Sequence, residues 1–168
     1  NFKGGNAVFT QPATPIKCGG APQKIMYLAE HYFRKHEIRE KTNVVFAAPG
    51  GVIFGVKEFA KTLNHIIASR NIIFKPFYAP ISIDSKAKKI TFRYNTAMAG
   101  NDCMTQKNVK LHEEVQGDTE MVMPYDMLHL APPQTAPKFI QESPLAVADG
   151  ANKGWLEVDI HKLNHPKF

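Results

Sequence analysis

The sequence predicts an α/β fold: a Rossmann-like parallel sheet with flanking helices, plus an antiparallel β hairpin or meander. Two observations carry that expectation. Short apolar, β-branched segments alternate with amphipathic segments of helical period in the order strand, helix, strand, helix, strand. Such an order needs right-handed crossovers between parallel neighbours. After the third strand the pattern switches to apolar and polar residues in alternation, the mark of strands with one wet face.

The elements follow in turn. Asn6 to Thr10 reads as a strand, and Pro12, Pro15, Gly19 and Gly20 make the next stretch a loop. From Pro22 to near Glu37, the spacing of Ile25, Leu28, Ala29, Tyr32 and Phe33 places them on one face of a helix, with Pro22 suited to its first position. Asn43 to Ala48 is a strand buried on both faces, bounded by Thr42 and by Pro49-Gly50-Gly51. Val56, Phe59, Ala60, Leu63, Ile66 and Ile67 mark a second helix, which Asn71 closes in a left-handed turn. Ile72 to Phe77 is a third strand. Ile81 and Ile83, a polar turn from Ser85 to Lys88, and Ile90, Phe92 and Tyr94 form the hairpin. Residues 95–118 show little periodicity and are expected to be an exposed insertion carrying Cys103, with a short strand around Val109. Glu120 to Met123 and Met127 to Leu130 are strand pieces interrupted by Pro124, Pro132-Pro133 stops the second, and Trp155 to Ile160 is a last short strand.

At 168 residues the chain fits one domain with at most a small appendage. With 43% hydrophobic and 21% charged residues, disorder, collagen and disulfide-stapled miniproteins are excluded. No apolar run approaches the roughly 18 residues of a membrane span, and no targeting peptide is encoded in this piece. The excess of 21 basic over 15 acidic residues gives +6, which favours anionic ligands or surfaces in general. The lysines around 86–89 lack the interleaved aromatics of a nucleic-acid platform, so nucleic acid is not an expected partner.

A βαβ core makes phosphate binding the first motif to test. Gly50 to Lys57 approaches P-loop spacing, but Glu58 follows Lys57, so the Lys-Ser/Thr pair that serves phosphate and magnesium is missing. Gly50, Gly51 and Gly55 leave two readings open: backbone amides that approach a diphosphate, or a tight strand-to-helix turn. His161-x-x-x-His165 has half a zinc spacing without cysteines before it, and Pro166 breaks any aligning helix, so no metal is expected. His31, His36 and His65 read as solvated or boundary residues, and His129 as a packed or hydrogen-bonded ring. Gly-x-Ser-x-Gly is absent.

The turn after the first strand is more unusual. Where a dinucleotide domain would write its glycine fingerprint, this chain has Lys17-Cys18-Gly19-Gly20-Ala21-Pro22. A cysteine just before a helix feels the positive end of the helix dipole, and Lys17 and Lys24 add to it, an arrangement that favours thiolate over thiol. Cys18 is therefore a candidate nucleophile or redox thiol; the alternative is a small buried hydrophobe. Cys103 has no such setting and reads as a bystander, and the two cysteines do not look like a disulfide framework.

From Lys17 to Leu28, through Tyr32 to Lys35, Ile53 to Lys57, Tyr125 to His129, Pro132-Pro133, Ser143 to Leu145 and Trp155 to Asp159, the sequence resembles the eukaryotic mitochondrial sulfide:quinone oxidoreductases. These belong to the two-dinucleotide-domain flavoprotein superfamily, and the chain resembles their central, nicotinamide-domain-like portion, with 161–168 as the start of the return to the flavin domain. The resemblance implies a mitochondrial parent that oxidises sulfide through a cysteine pair and FAD to ubiquinone, and passes sulfane sulfur to a small thiol or sulfite acceptor. It implies that Cys18 is one member of the pair. The flavin fingerprint is expected before Asn1, and the Gly-Asp flavin motif and second redox cysteine after Phe168, so FAD belongs to the parent and is not expected on this fragment, which is expected to be inactive alone. Residues 95–117 and 150–153 depart from the family pattern, so Cys103 is not matched to the second cysteine. The reading set against all this is a non-catalytic, Rossmann-like nucleotide-binding module with its ligand at Gly50 to Gly55.

Overall fold

Two strands in the middle of the molecule show how the sequence is used. β1 (Gly5–Thr10) and β2 (Thr42–Ala48) pair in parallel, and nearly every residue in them is buried. Because side chains alternate across a strand, Ala7, Phe9, Val44 and Phe46 enter one hydrophobic cluster, while Val8, Val45 and Ala47 enter another on the opposite face. The computed structural model in which this is seen describes residues 2–94 and 108–168, and it divides into two compact units, Asn1–Pro132 and Pro133–Phe168.

In the first unit, β3 (Ile73–Pro76) and β8 (Met127–His129) complete a four-stranded parallel sheet of order β3-β2-β1-β8. Helices α1 (Ala21–Lys35) and α2 (Lys57–Ser69) connect β1 to β2 and β2 to β3. Both crossovers step the same way across the sheet. Right-handedness therefore puts both helices on one face, where Met26, Phe33 and Ile67 meet Phe9 and Phe46. The other face is covered by the antiparallel sheet β4 (Tyr78–Asp84), β5 (Lys89–Tyr94), β7 (Glu120–Pro124) and β6 (Glu114–Gln116), in the order β4-β5-β7-β6. Tyr78, Ile90, Phe92, Met121 and Met123 supply its side of the second cluster. The expected fold class is the one observed: α/β, with a helix-covered parallel sheet and an antiparallel meander.

Asn71 closes α2 as expected: it adopts φ 53° while Ile72 N–H donates to Ile67 O at 2.9 Å. Glu37 takes the same left-handed position after α1 (φ 58°). The stripe expected on α1 is corrected. Ile25, Leu28 and Tyr32 face outward, and the buried residues are Pro22, Gln23, Met26, Glu30 and Phe33. Two polar residues share that inner face because both have partners. Gln23 donates to Ile53 O, and the Glu30 carboxylate accepts from Arg34 Nε at 2.8 Å and Arg70 Nη1 at 3.2 Å, with Arg39 Nε at 3.5 Å. On α2 only Ile67 is buried; Phe59 is exposed and Leu63 partly so.

Of the expected exposed insertion 95–118, residues 95–107, Cys103 among them, lie outside the described residues. The remainder is corrected at two places. Leu111 and Glu113 are fully buried, and Val109–Leu111 is a 3-10 turn rather than a strand. Glu113 turns inward because Lys75 Nζ meets its Oε2 at 2.8 Å, beneath the antiparallel sheet, with Lys75 also 5.2 Å from the centroid of the Tyr78 ring. Asn6, buried in β1, donates through Nδ2 to Leu111 O and Pro124 O, both at 2.9 Å, and accepts from Asn43 Nδ2 at 2.9 Å. Its backbone N–H donates to Asp126 Oδ2 at 2.8 Å.

The second unit contains a single helical turn, α3 (Lys138–Gln141), whose Gln141 side chain donates to Ala136 O at 2.6 Å. The strand expected from Trp155 to Ile160 is not formed. Leu156 makes one antiparallel bridge to Ala146, and flanking bonds run from Val147 N to Trp155 O at 2.8 Å and from Glu157 N to Leu145 O at 2.9 Å. With no further strand beside it, the apolar run has no ladder to join.

Candidate functional site

Open α/β sheets bind ligands beyond the carboxyl ends of their strands, where the strand order reverses. Here that point is β1: the chain steps from β1 to β2 and β3 on one side, and returns as β8 on the other. The loop that leaves β1 there, residues 11–20, carries Cys18.

Cys18 is exposed and unpaired by any disulfide, so the buried-hydrophobe alternative is corrected: a loop that runs outside the sheet, between two prolines and two glycines, has no core to enter. Its carbonyl accepts the Ala21 N–H at 3.2 Å, which ties Cys18 directly to the first turn of α1. Gly20 is the N-cap and offers no side-chain bond, Pro22 has no N–H to satisfy, and the first turn carries no acidic residue. Neither the N-cap nor the first turn of α1 thus offsets the positive end of the helix beside the thiol. Lys17 and Lys24 are exposed on either side.

The other sequence-level candidates fall elsewhere. Gly51 is pressed against Phe77, where a Cβ would overlap the aromatic ring, while Gly50 and Gly55 have open space around them. Phe77 holds this place in a left-handed backbone (φ 63°), with its N–H donating to Gly50 O at 3.2 Å. The close approach that Gly51 permits therefore serves packing, one of the two roles the sequence left open. His129, at the end of β8, stacks on Phe9 with centroids 6.0 Å apart, as its packed reading anticipated. Thr10 beside it donates to His129 O at 3.4 Å and accepts from Ala131 N at 3.1 Å. In the second unit, His165 lies against Phe168 and 3.9 Å from Glu157. Among the described residues no group of three or more His, Cys, Asp or Glu side chains is placed to hold a metal ion, and no helix is long and apolar enough to cross a membrane.

Two residues around the loop that carries Cys18 escaped sequence reasoning. The edge of the Phe54 ring approaches Gly19 and Gly20, and Gln23 is buried in the first turn of α1. Both stand within stretches that carry the family resemblance, but neither residue type signals chemistry, so composition and spacing passed over them.

A three-layer arrangement of helices, parallel sheet and antiparallel sheet, with a cysteine loop at the switch point, defines a Rossmann-like α/β domain. No family model matches the chain. It is, however, similar over its length to the mitochondrial sulfide:quinone oxidoreductases. It is 42% identical to that of Mus musculus over 167 residues, 99% of this chain and 32% of the mouse protein. It is 35% identical to that of Dictyostelium discoideum over 169 residues, 100% of this chain and 32% of that protein. The sulfide:quinone oxidoreductase of the hyperthermophilic bacterium Aquifex aeolicus shares the fold, with a TM-score of 0.66 at 18% identity over 97% of this chain and 33% of the bacterial one. The chain spans about a third of the length of the curated relatives it matches.

Proposed function

We propose that this chain is the nicotinamide-domain-like portion of a mitochondrial sulfide:quinone oxidoreductase, and that Cys18 is one of the two cysteines through which sulfide is oxidised. The observation that carries this reading is the exposed Cys18 at the switch point of the sheet, in a chain similar from end to end to enzymes of that name. Sulfide gives up two electrons and becomes sulfane sulfur. Thiol–disulfide exchange is the chemistry by which a cysteine pair does this: hydrosulfide attacks one sulfur of the disulfide, an S–S bond forms as the old one breaks, and the other cysteine leaves as thiolate. The sulfane sulfur then passes to a small thiol or sulfite acceptor, which releases the second cysteine as a thiol. Re-formation of the disulfide between the two thiols would restore the pair, its two electrons and two protons ending on ubiquinone.

FAD, which this reaction uses to carry electrons, finds no G-x-G-x-x-G fingerprint in the first turn of this chain, where Lys17-Cys18-Gly19-Gly20-Ala21-Pro22 stands at the amino end of α1. The flavin is assigned to the flavin-domain halves of the parent, and the isolated chain is inactive.

Replacing Cys18 by serine in the full-length protein tests the reading. Sulfide-dependent quinone reduction is expected to fall by at least a hundredfold, with flavin content unchanged. A Cys18→Ser protein that keeps its rate overturns it, as does specific binding of nicotinamide dinucleotides by this chain at Gly50 to Gly55.

A further inference from the structure

Cys18 is followed by two glycines, the residues with the greatest backbone freedom, and it is exposed. A thiol on such a segment would sample many positions unless something held the segment down. The turn between β2 and α2 does so. The edge of the Phe54 ring comes up to the loop: a methyl group on Gly19 would sit 3.6 Å from Cε2 and one on Gly20 3.9 Å. Phe54 is itself anchored. It packs against the helix-side core and lies 6.2 Å from the Phe59 ring, centroid to centroid.

The residue before it fixes the turn more firmly. Ile53 is 3% exposed and part of the same core, and its carbonyl accepts the Gln23 Nε2 from the first turn of α1. Gln23 is 2% exposed and its Oε1 has no partner among the described residues, so the side-chain amide is committed to this one bond. A buried amide half satisfied in this way has a cost, which the bond to Ile53 offsets by joining the β2–α2 turn to the helix that Cys18 precedes.

We propose that Phe54, seated by the Gln23–Ile53 bond, is a positioning residue for Cys18. Its ring holds the Cys18–Gly20 backbone against the start of α1, so that the sulfur is presented from one loop conformation. Rates of sulfur exchange depend on such placement, and an error of about 1 Å in a reacting group can cost on the order of a hundredfold. The inference rests on Cys18 being the reacting thiol, and the experiment separates the two ideas.

In the full-length protein, Phe54→Ala is expected to lower kcat for sulfide-dependent quinone reduction by roughly tenfold to a hundredfold. The KM for quinone stays unchanged, and Phe54→Tyr, which keeps the ring, restores the rate to within about threefold. Hydrogen exchange at the amides of Ala21 and Lys24, which donate to Cys18 O and Gly20 O, rises about tenfold in Phe54→Ala while the amides of β1 and β2 stay protected. Unchanged exchange at Ala21 and Lys24, or an equal rise in β1 and β2, overturns the role given to Phe54. A Cys18→Ser protein of full activity instead overturns the reading of the thiol on which that role depends, whatever the exchange shows.

Discussion

The ion pair between Lys75 and Glu113 offers a direct test of how the two sheets are held together. Its side chains are 6% and 0% exposed, and Nζ lies 2.8 Å from Oε2. Replacing Lys75 by methionine keeps most of the volume and removes the charge, which leaves a carboxylate buried beneath the antiparallel sheet. Breaking a buried pair from one side costs about 3–5 kcal/mol. Asn108 N–H still donates to Glu113 Oε2, which softens the loss, so about 3 kcal/mol is expected. With a urea m-value of roughly 1–3 kcal/mol per molar, the midpoint should fall by about 1–3 M. Removing both charges, as Lys75→Met with Glu113→Leu, should recover most of the deficit, because a hydrophobic pair of similar volume is often as stable as the ion pair it replaces. Far-UV circular dichroism across a urea series measures all three proteins. A single mutant within about 0.5 kcal/mol of the parent, or a double mutant less stable than the single, would refute the reasoning.

Two other outcomes follow from neighbouring residues. Burial, with Glu113 and Tyr94 nearby, raises the pKa of the Tyr78 phenol well above its ordinary 10.0. The neutral form is the one that fits the fold, so its stabilisation is complete below about pH 10 and is lost as pH rises from there through the folded value; Tyr78→Phe should flatten the alkaline limb of a stability profile, and cost less than about 0.5 kcal/mol at pH 7 because the hydroxyl has no hydrogen-bond partner. Gly51→Ala should destabilise by about 1–3 kcal/mol through the clash with Phe77, whereas Gly55→Ala, with open space around it, should stay near neutral in the same denaturation assay.

The parts of the fold that were legible are those where local pattern and burial agree. β1 and β2 are short, β-branched and buried on both faces, and Asn71 has the side chain that a left-handed helix end favours. The inner face of α1 was misread because hydrophobicity stands for burial only when polar residues stay outside. Glu30 is fully buried, among three arginines contributed by α1, the turn after it and the end of α2. That is a long-range arrangement, and no window along the sequence contains it. Leu111 and Glu113 were hidden for the same reason, since Leu111 shares its core cluster with Val8 of β1 and Met121 and Met123 of β7, and Glu113 pairs with Lys75 of β3. At the site, Cys18 was visible as a chemical type in an odd place, whereas Phe54 acts through where its ring lies, which depends on the packing of a different loop.

A strand that is apolar on both sides has little in its hydrophobicity to tell one alignment from the next. β1 escapes that ambiguity through its amides and hydroxyls: a shift by one residue would carry the Asn6 carboxamide away from both Leu111 O and Pro124 O, and move Thr10 off the Ala131 N–H. Each group would then be stranded beneath the helices without its partner. The molecule therefore carries its own ruler, with two polar marks on an otherwise greasy scale, and an insertion or deletion inside β1 should be rejected even where the new side chains are aliphatic and fit.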